Sequence, residues 1–227
     1  MQHADFDGRN GYIEVVWDVE TRRWVYRPVY VQAQAALTAT ELTALGLDAP
    51  LARPEVGAVP AFSQRDPRWA NVRLGKSNYT MGSAGCAVTA AAMVAATVAP
   101  DTTPGTLVEA LNANNGFTSG GLLYWSKITD VIPALRFVRY DLWRTIPAEI
   151  ILLQAALSVC PQVIQVDFHP QTSGLDSHFV TALRMTDDDD VEIIDPWTGE
   201  AGTLLGMYGR SGWTVARAVY ALAQFAV

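Results

Sequence analysis

From residue 85 to residue 99 the chain reads Gly-Cys-Ala-Val-Thr-Ala-Ala-Ala-Met-Val-Ala-Ala-Thr-Val-Ala and then meets Pro100. Alanine is the best helix former and proline cannot continue a helix, so this run predicts a helix headed by Cys86 and stopped at Pro100. A second helix is expected over 104–112, with Pro104 at a favoured first-turn position. Two more are expected over 124–132, which contains Trp125, and over 147–157. The pattern then changes. Residues 162–167, 178–183 and 191–195 are short apolar runs bounded by turn formers, notably 170–177 and the four-Asp run 187–190. Helices first and an antiparallel sheet afterwards define an α+β layout, in which a helical part carrying the Cys86 helix packs on a C-terminal antiparallel β-sheet.

Upstream, residues 12–17 and 23–30 are two β-rich runs separated by the polar 18–22, which reads as a β-hairpin. Thr38 or Thr40 could cap a short helix through Leu45, ended by Gly46. Residues 48–60 read as a linker. The expected organisation is therefore a small hairpin extension over 1–57 and a main domain over 58–227.

Composition narrows the function classes. The 227 residues are 50% hydrophobic and 17% charged, a globular composition. Sixteen Lys and Arg against 23 Asp and Glu leave a net charge of −7 with no basic run, which argues against nucleic-acid and anionic-membrane partners. The first residues lack a basic segment followed by an apolar run, and the apolar stretch 87–99 is too short to span a bilayer. The expectation is a soluble protein without a secretory signal, cytoplasmic or virion-associated.

Two cysteines do not make a disulfide framework in a chain of this size. Cys160 precedes Pro161 and an apolar strand, the setting of a small buried hydrophobe. Cys86 differs. A Gly-containing loop, 80–85, delivers its thiol to a helix N-terminus, where unpaired N–H groups and the helix dipole favour a thiolate. Gly85 beside it leaves room for an incoming carbonyl.

A cysteine nucleophile needs a base, and the chain has three histidines, His3, His169 and His178. His178 is the preferred base, because a polar turn leads to it and an apolar strand follows. Its strand and the one ending at Asp195 flank the 187–190 turn. If they pair as a hairpin, the start of one meets the end of the other and His178 lies beside Asp195. Asp195 can then hold the imidazole in one tautomer. Gln64, in a loop over 62–69, is a side-chain donor for an oxyanion, together with the Cys86 backbone N–H.

Three segments together, 62–69 around Gln64, 74–93 around Gly85-Cys86, and 177–180 with 194–199 around His178 and Asp195, resemble the papain-like cysteine peptidases. The likeness is to the bacteriocin-processing (double-glycine leader) peptidase-like branch and covers about residues 59–215. It implies a papain-like fold with Cys86 as nucleophile, His178 as base, Asp195 as orienter and Gln64 as oxyanion donor. Gly85 and Trp197 would contact substrate. Hydrolysis of a peptide or amide bond through an acyl-enzyme then needs no cofactor. The partner would be a peptide or protein, peptidoglycan peptides among them, with residues 1–57 open to a docking role. Gln64 lies further upstream of the cysteine than in papain.

Two alternatives use the same residues: an acyltransferase, and a non-catalytic binding or structural virion module. In the latter Trp17, Trp24, Trp69 and Trp197 could contact peptide or glycan. A metal site from Cys86, His169, His178 and Asp195 is disfavoured because no two of them form a short ligand pair.

Overall fold

The computed structural model describes residues 59–143 and 150–227, and the backbone of two strands nearer the N-terminus. Those strands, β1 (Gly11–Asp18) and β2 (Arg23–Tyr30), pair antiparallel from Gly11↔Tyr30 to Asp18↔Arg23, as the hairpin reading expects. The helix expected to end at Leu45, and His3, lie outside the described residues. The chain divides into units Met1–Pro50 and Leu51–Val227, which puts the boundary near the start of the expected linker rather than at residue 57.

In the larger unit six antiparallel strands form one sheet. They are β3 (Arg136–Leu142), β4 (Gln162–Asp167), β5 (Ser177–Met185), β6 (Val191–Asp195), β7 (Glu200–Thr203) and β8 (Ala221–Ala226). Their spatial order is β3-β8-β4-β5-β6-β7. Seven helices are described: α1 (Met81–Ala84), α2 (Cys86–Ala95), α3 (Pro104–Ala113), α4 (Lys127–Val131), α5 (Ile150–Leu157), α6 (Leu204–Tyr208) and α7 (Val215–Ala218). The Ala-rich helix is shorter than its sequence pattern, because residues 96–99 form turns before Pro100. Trp125 falls in the turn ahead of α4 rather than within it.

Helix α2 lies across β5 and β4. Every residue from Val88 to Ala95 is buried, so the helix is covered all round, and small alanines let neighbouring backbone approach. Thr181 of β5 donates its hydroxyl to the Ala90 carbonyl at 3.1 Å, tying the sheet to the helix. Side chains alternate across the sheet. Val163, Ala223 and Phe225 join the core containing α2 and α3, whereas Ile164, Val166, Val180, Ala182 and Leu222 join a second core with α5, α6 and α7. The sheet is thus buried on both faces, which explains why β4 is buried at every position and reads as a continuous apolar run. The second face is covered by α5, which the sequence pattern predicts, together with α6 and α7, which it does not.

Cys160 is buried, with its thiol against the Phe225 carbonyl at 3.5 Å. Burial pushes its pKa up to about 11, only partly opposed by a hydrogen bond from Gln162. Both cysteines are free. Trp69, weighed above as a contact residue, is a core residue whose indole N–H donates to the Ser63 carbonyl at 2.9 Å. No helix among the described residues is long and apolar enough to cross a membrane.

Candidate active site

The site is assembled at the end of the sheet where α2 begins. Thr80 and Ser83 form a reciprocal capping box that fixes α1, and Gly85 is both the C-cap of α1 and the N-cap of α2. A Cβ on Gly85 would stand 2.4 Å from the Met81 carbonyl oxygen. The glycine is therefore required by the approach of its own chain. Gly85, expected to contact substrate, is not among the residues lining the cavity described below; Ala84 and Cys86 on either side are. Gly85→Ala should destabilise the domain by about 1–3 kcal/mol, as other overpacked sites do, in denaturant unfolding.

Cys86 is partly exposed at the first position of α2, where first-turn N–H groups have no partner within the helix. His178 and Asp195 are both buried. β5 and β6 pair through Thr181↔Ile194 and Ala182↔Ile193, so the start of one strand meets the end of the other. His178 Nε2 lies 2.7 Å from Asp195 Oδ1. With Nε2 engaged by the carboxylate, Nδ1 is the ring nitrogen left for Cys86, whose proximity favours the charged form of His178. The other candidate base, His169, pairs instead with Asp176 at 2.7 Å on the exposed cavity rim.

The Asp195 carboxylate is held on several sides. Its Oδ1 also accepts the Trp197 backbone N–H at 2.9 Å, and the Tyr208 side chain nearby favours its charge. The 196–199 turn that supplies Trp197 closes the β6–β7 hairpin, with Asp195 paired to Glu200 and Gly199 at φ +79°. Burial disfavours the Asp195 charge, but His178, Trp197 and Tyr208 outweigh it and hold the carboxyl below its usual range. Burial likewise opposes the His178 imidazolium; Asp195 and then Cys86 prevail and raise its pKa to about 9.

Gln64, read from the sequence as a loop donor for an oxyanion, is buried. Its backbone N–H donates to the Pro196 carbonyl at 2.7 Å, which joins the Gln64 loop to the Asp195 turn. Its side-chain Nε2 donates to the Gly82 carbonyl at 3.2 Å, placing the amide against α1 just ahead of Cys86. The second N–H on Nε2 is left for a ligand.

A cavity of about 700 Å³ opens over this constellation, lined by Gln64, Cys86, His178 and Trp197. The indole of Trp197, an expected contact residue, also carries the Arg65 guanidinium 4.7 Å from its ring centroid. Leu74, Phe117, Leu122, Leu123, Trp125 and Phe179 give the cavity an apolar wall.

Three neighbours were not foreseen. Phe168 packs on His178 with ring centroids 4.7 Å apart and on Trp197 at 5.4 Å. Tyr208 closes the far side, its ring 5.7 Å from that of His178. Gln165 was hidden inside an apolar strand; a lone amide in Val-Ile-Gln-Val was the signal for it. Among the described residues no group of three or more His, Cys, Asp or Glu could hold a metal ion.

Comparison with known proteins gives no match among family models, curated proteins or solved structures.

Proposed function

We propose that the protein is a papain-like cysteine peptidase that hydrolyses a peptide or amide bond through an acyl-enzyme. The observation that carries this reading is that Cys86 and His178 line one cavity large enough for a peptide segment, with the imidazole Nε2 on the Asp195 carboxylate and Cys86 close enough to favour the His178 charge. A buried structural His–Asp pair would need neither the partly exposed Cys86 nor the cavity.

In the reaction Cys86 sulfur attacks the carbonyl carbon while its proton resides on His178. The oxyanion receives the Cys86 backbone N–H and the free N–H of Gln64. His178 gives its proton to the amine as the C–N bond breaks, leaving a thioester. Water then attacks the thioester, His178 takes a proton from it, and the C–S bond breaks to release the acid and the thiol. Asp195 keeps Nε2 protonated throughout and stabilises the imidazolium. Trp197 and the apolar wall bind substrate side chains.

Alkylation tests the nucleophile. Iodoacetamide should add one carboxamidomethyl group, at Cys86, in intact-mass and peptide analysis. Cys160, buried with a pKa pushed up to about 11, should stay unmodified in the folded protein. Cys86→Ala should take up no label and hydrolyse nothing. Labelling at Cys160 first, or hydrolysis by Cys86→Ala, would refute the assignment.

A further inference from the structure

Gln165 has no part in the chemistry just described, yet its side chain is only 2% exposed and lines the cavity. It lies on β4 opposite Phe179 of β5, so the two share the face of the sheet that α2 covers. Its Nε2 donates to Ser177 Oγ. Its Oε1 is buried and accepts no hydrogen bond from any described residue.

The same strand shows what a structural glutamine looks like here. Gln162 donates to the carbonyls of Ala156 and Cys160 at 3.0 and 2.9 Å and accepts the Phe225 N–H at 2.7 Å. Both ends of its amide are used. Gln165 is kept half-used in the midst of Val163, Ile164 and Val166, where an apolar side chain would fit the strand pattern. A buried acceptor left without a donor is costly to the fold, so its presence at a cavity wall marks a place where a ligand supplies the donor.

The surroundings define that donor. The cavity lining adds further acceptors, Ser177 Oγ and the Asp176 carboxylate, and contains no Lys or Arg. Phe179 and Trp125, with ring centroids 5.3 Å apart, offer an apolar surface for the carbons of the same side chain.

We propose that Gln165 determines specificity: the substrate side chain entering the cavity beside Cys86 ends in an N–H or O–H donor, neutral or cationic, which Gln165 Oε1 receives. This rests on the hydrolase reading for its substrate, but not for its test. Two series of peptides, varied one residue at a time on either side of the reactive carbonyl, carry Thr against Val, Asn against Leu, and Asn against Asp. One series has fluorogenic amides and reports hydrolysis. The other has halomethyl ketones and reports alkylation of Cys86 by mass, with no turnover needed.

At one position both series should favour Thr over Val and Asn over Leu or Asp by about tenfold or more. Gln165→Met should reverse the first two preferences. Because it removes an unpaired buried oxygen, the variant should also melt about 2–4 °C higher than the parent. Hydrolysis with Val and Thr treated alike would overturn the specificity role and leave the hydrolase standing. Donor-selective alkylation without hydrolysis of any peptide would do the opposite. Gln165→Met keeping the parent's ranking, or melting lower, would show a structural glutamine and overturn the proposal.

Discussion

His178→Ala is expected to lower kcat/KM for a peptide substrate by about 10³-fold or more, because in the proposed reaction it removes the group that holds the proton in both halves. His169→Ala, which breaks the exposed pair with Asp176 and a ring contact with Phe168 on the cavity rim, should cost far less. The contrast matters because both histidines line the same cavity and both have a carboxylate 2.7 Å away. What separates them is burial and a neighbour: His178 is buried with Cys86 helping to hold its charge, whereas the His169 pair is exposed. The check is steady-state kinetics on the two variants, with cooperative unfolding to show that each is folded. Equal losses, or a larger loss in His169→Ala, would move the base to the rim.

The second large effect concerns pH. With the His178 pKa raised to about 9, the imidazolium persists through neutral pH, and activity should fall as pH rises through about 9. Asp195→Asn keeps an oxygen for the Nε2 proton but removes the charge that helps raise that pKa. Its falling limb should therefore move to lower pH, and kcat/KM at pH 8 should drop by about tenfold or more. A pH–rate profile unchanged in Asp195→Asn would deny the carboxylate its electrostatic role.

The sign carries over to stability. A histidine raised in the folded state stabilises fully below its ordinary value of 6.5, and that stabilisation is lost as pH climbs from there through about 9. Asp195, held low, acts at the other end. Its contribution is present above 3.8 and lost as pH falls below that value through its folded pKa.

Much of the site could be read from the chain because its parts sit at the ends of strongly patterned elements. Cys86 heads an Ala-rich run, and His178 and Asp195 flank two apolar runs joined by a short polar turn. Antiparallel pairing needs only those facts to bring the last two together. Gln64 was readable as a residue type in a loop, but its burial was not. That depends on the Pro196 carbonyl, 132 residues away in sequence, accepting its N–H. Strand β8 went unread because Ala-Leu-Ala-Gln-Phe-Ala has no strand signature. It is a strand because β3 and β4 flank it and supply the hydrogen bonds.

Local sequence alone therefore determined the α+β class (though not the interleaving of β3 with the helices and of α6 and α7 with the strands), the helix that begins at Cys86 and the hairpin that joins His178 to Asp195. These follow from propensity, turn chemistry and strand pairing between neighbours in the chain. Tertiary structure decided the rest: which histidine reaches the sulfur, how Tyr208 and Trp197 hold Asp195, and why Gln165 stands with one amide oxygen unpaired in the cavity wall. Those depend on contacts between segments far apart in sequence, and a local pattern carries no information about which segment will arrive.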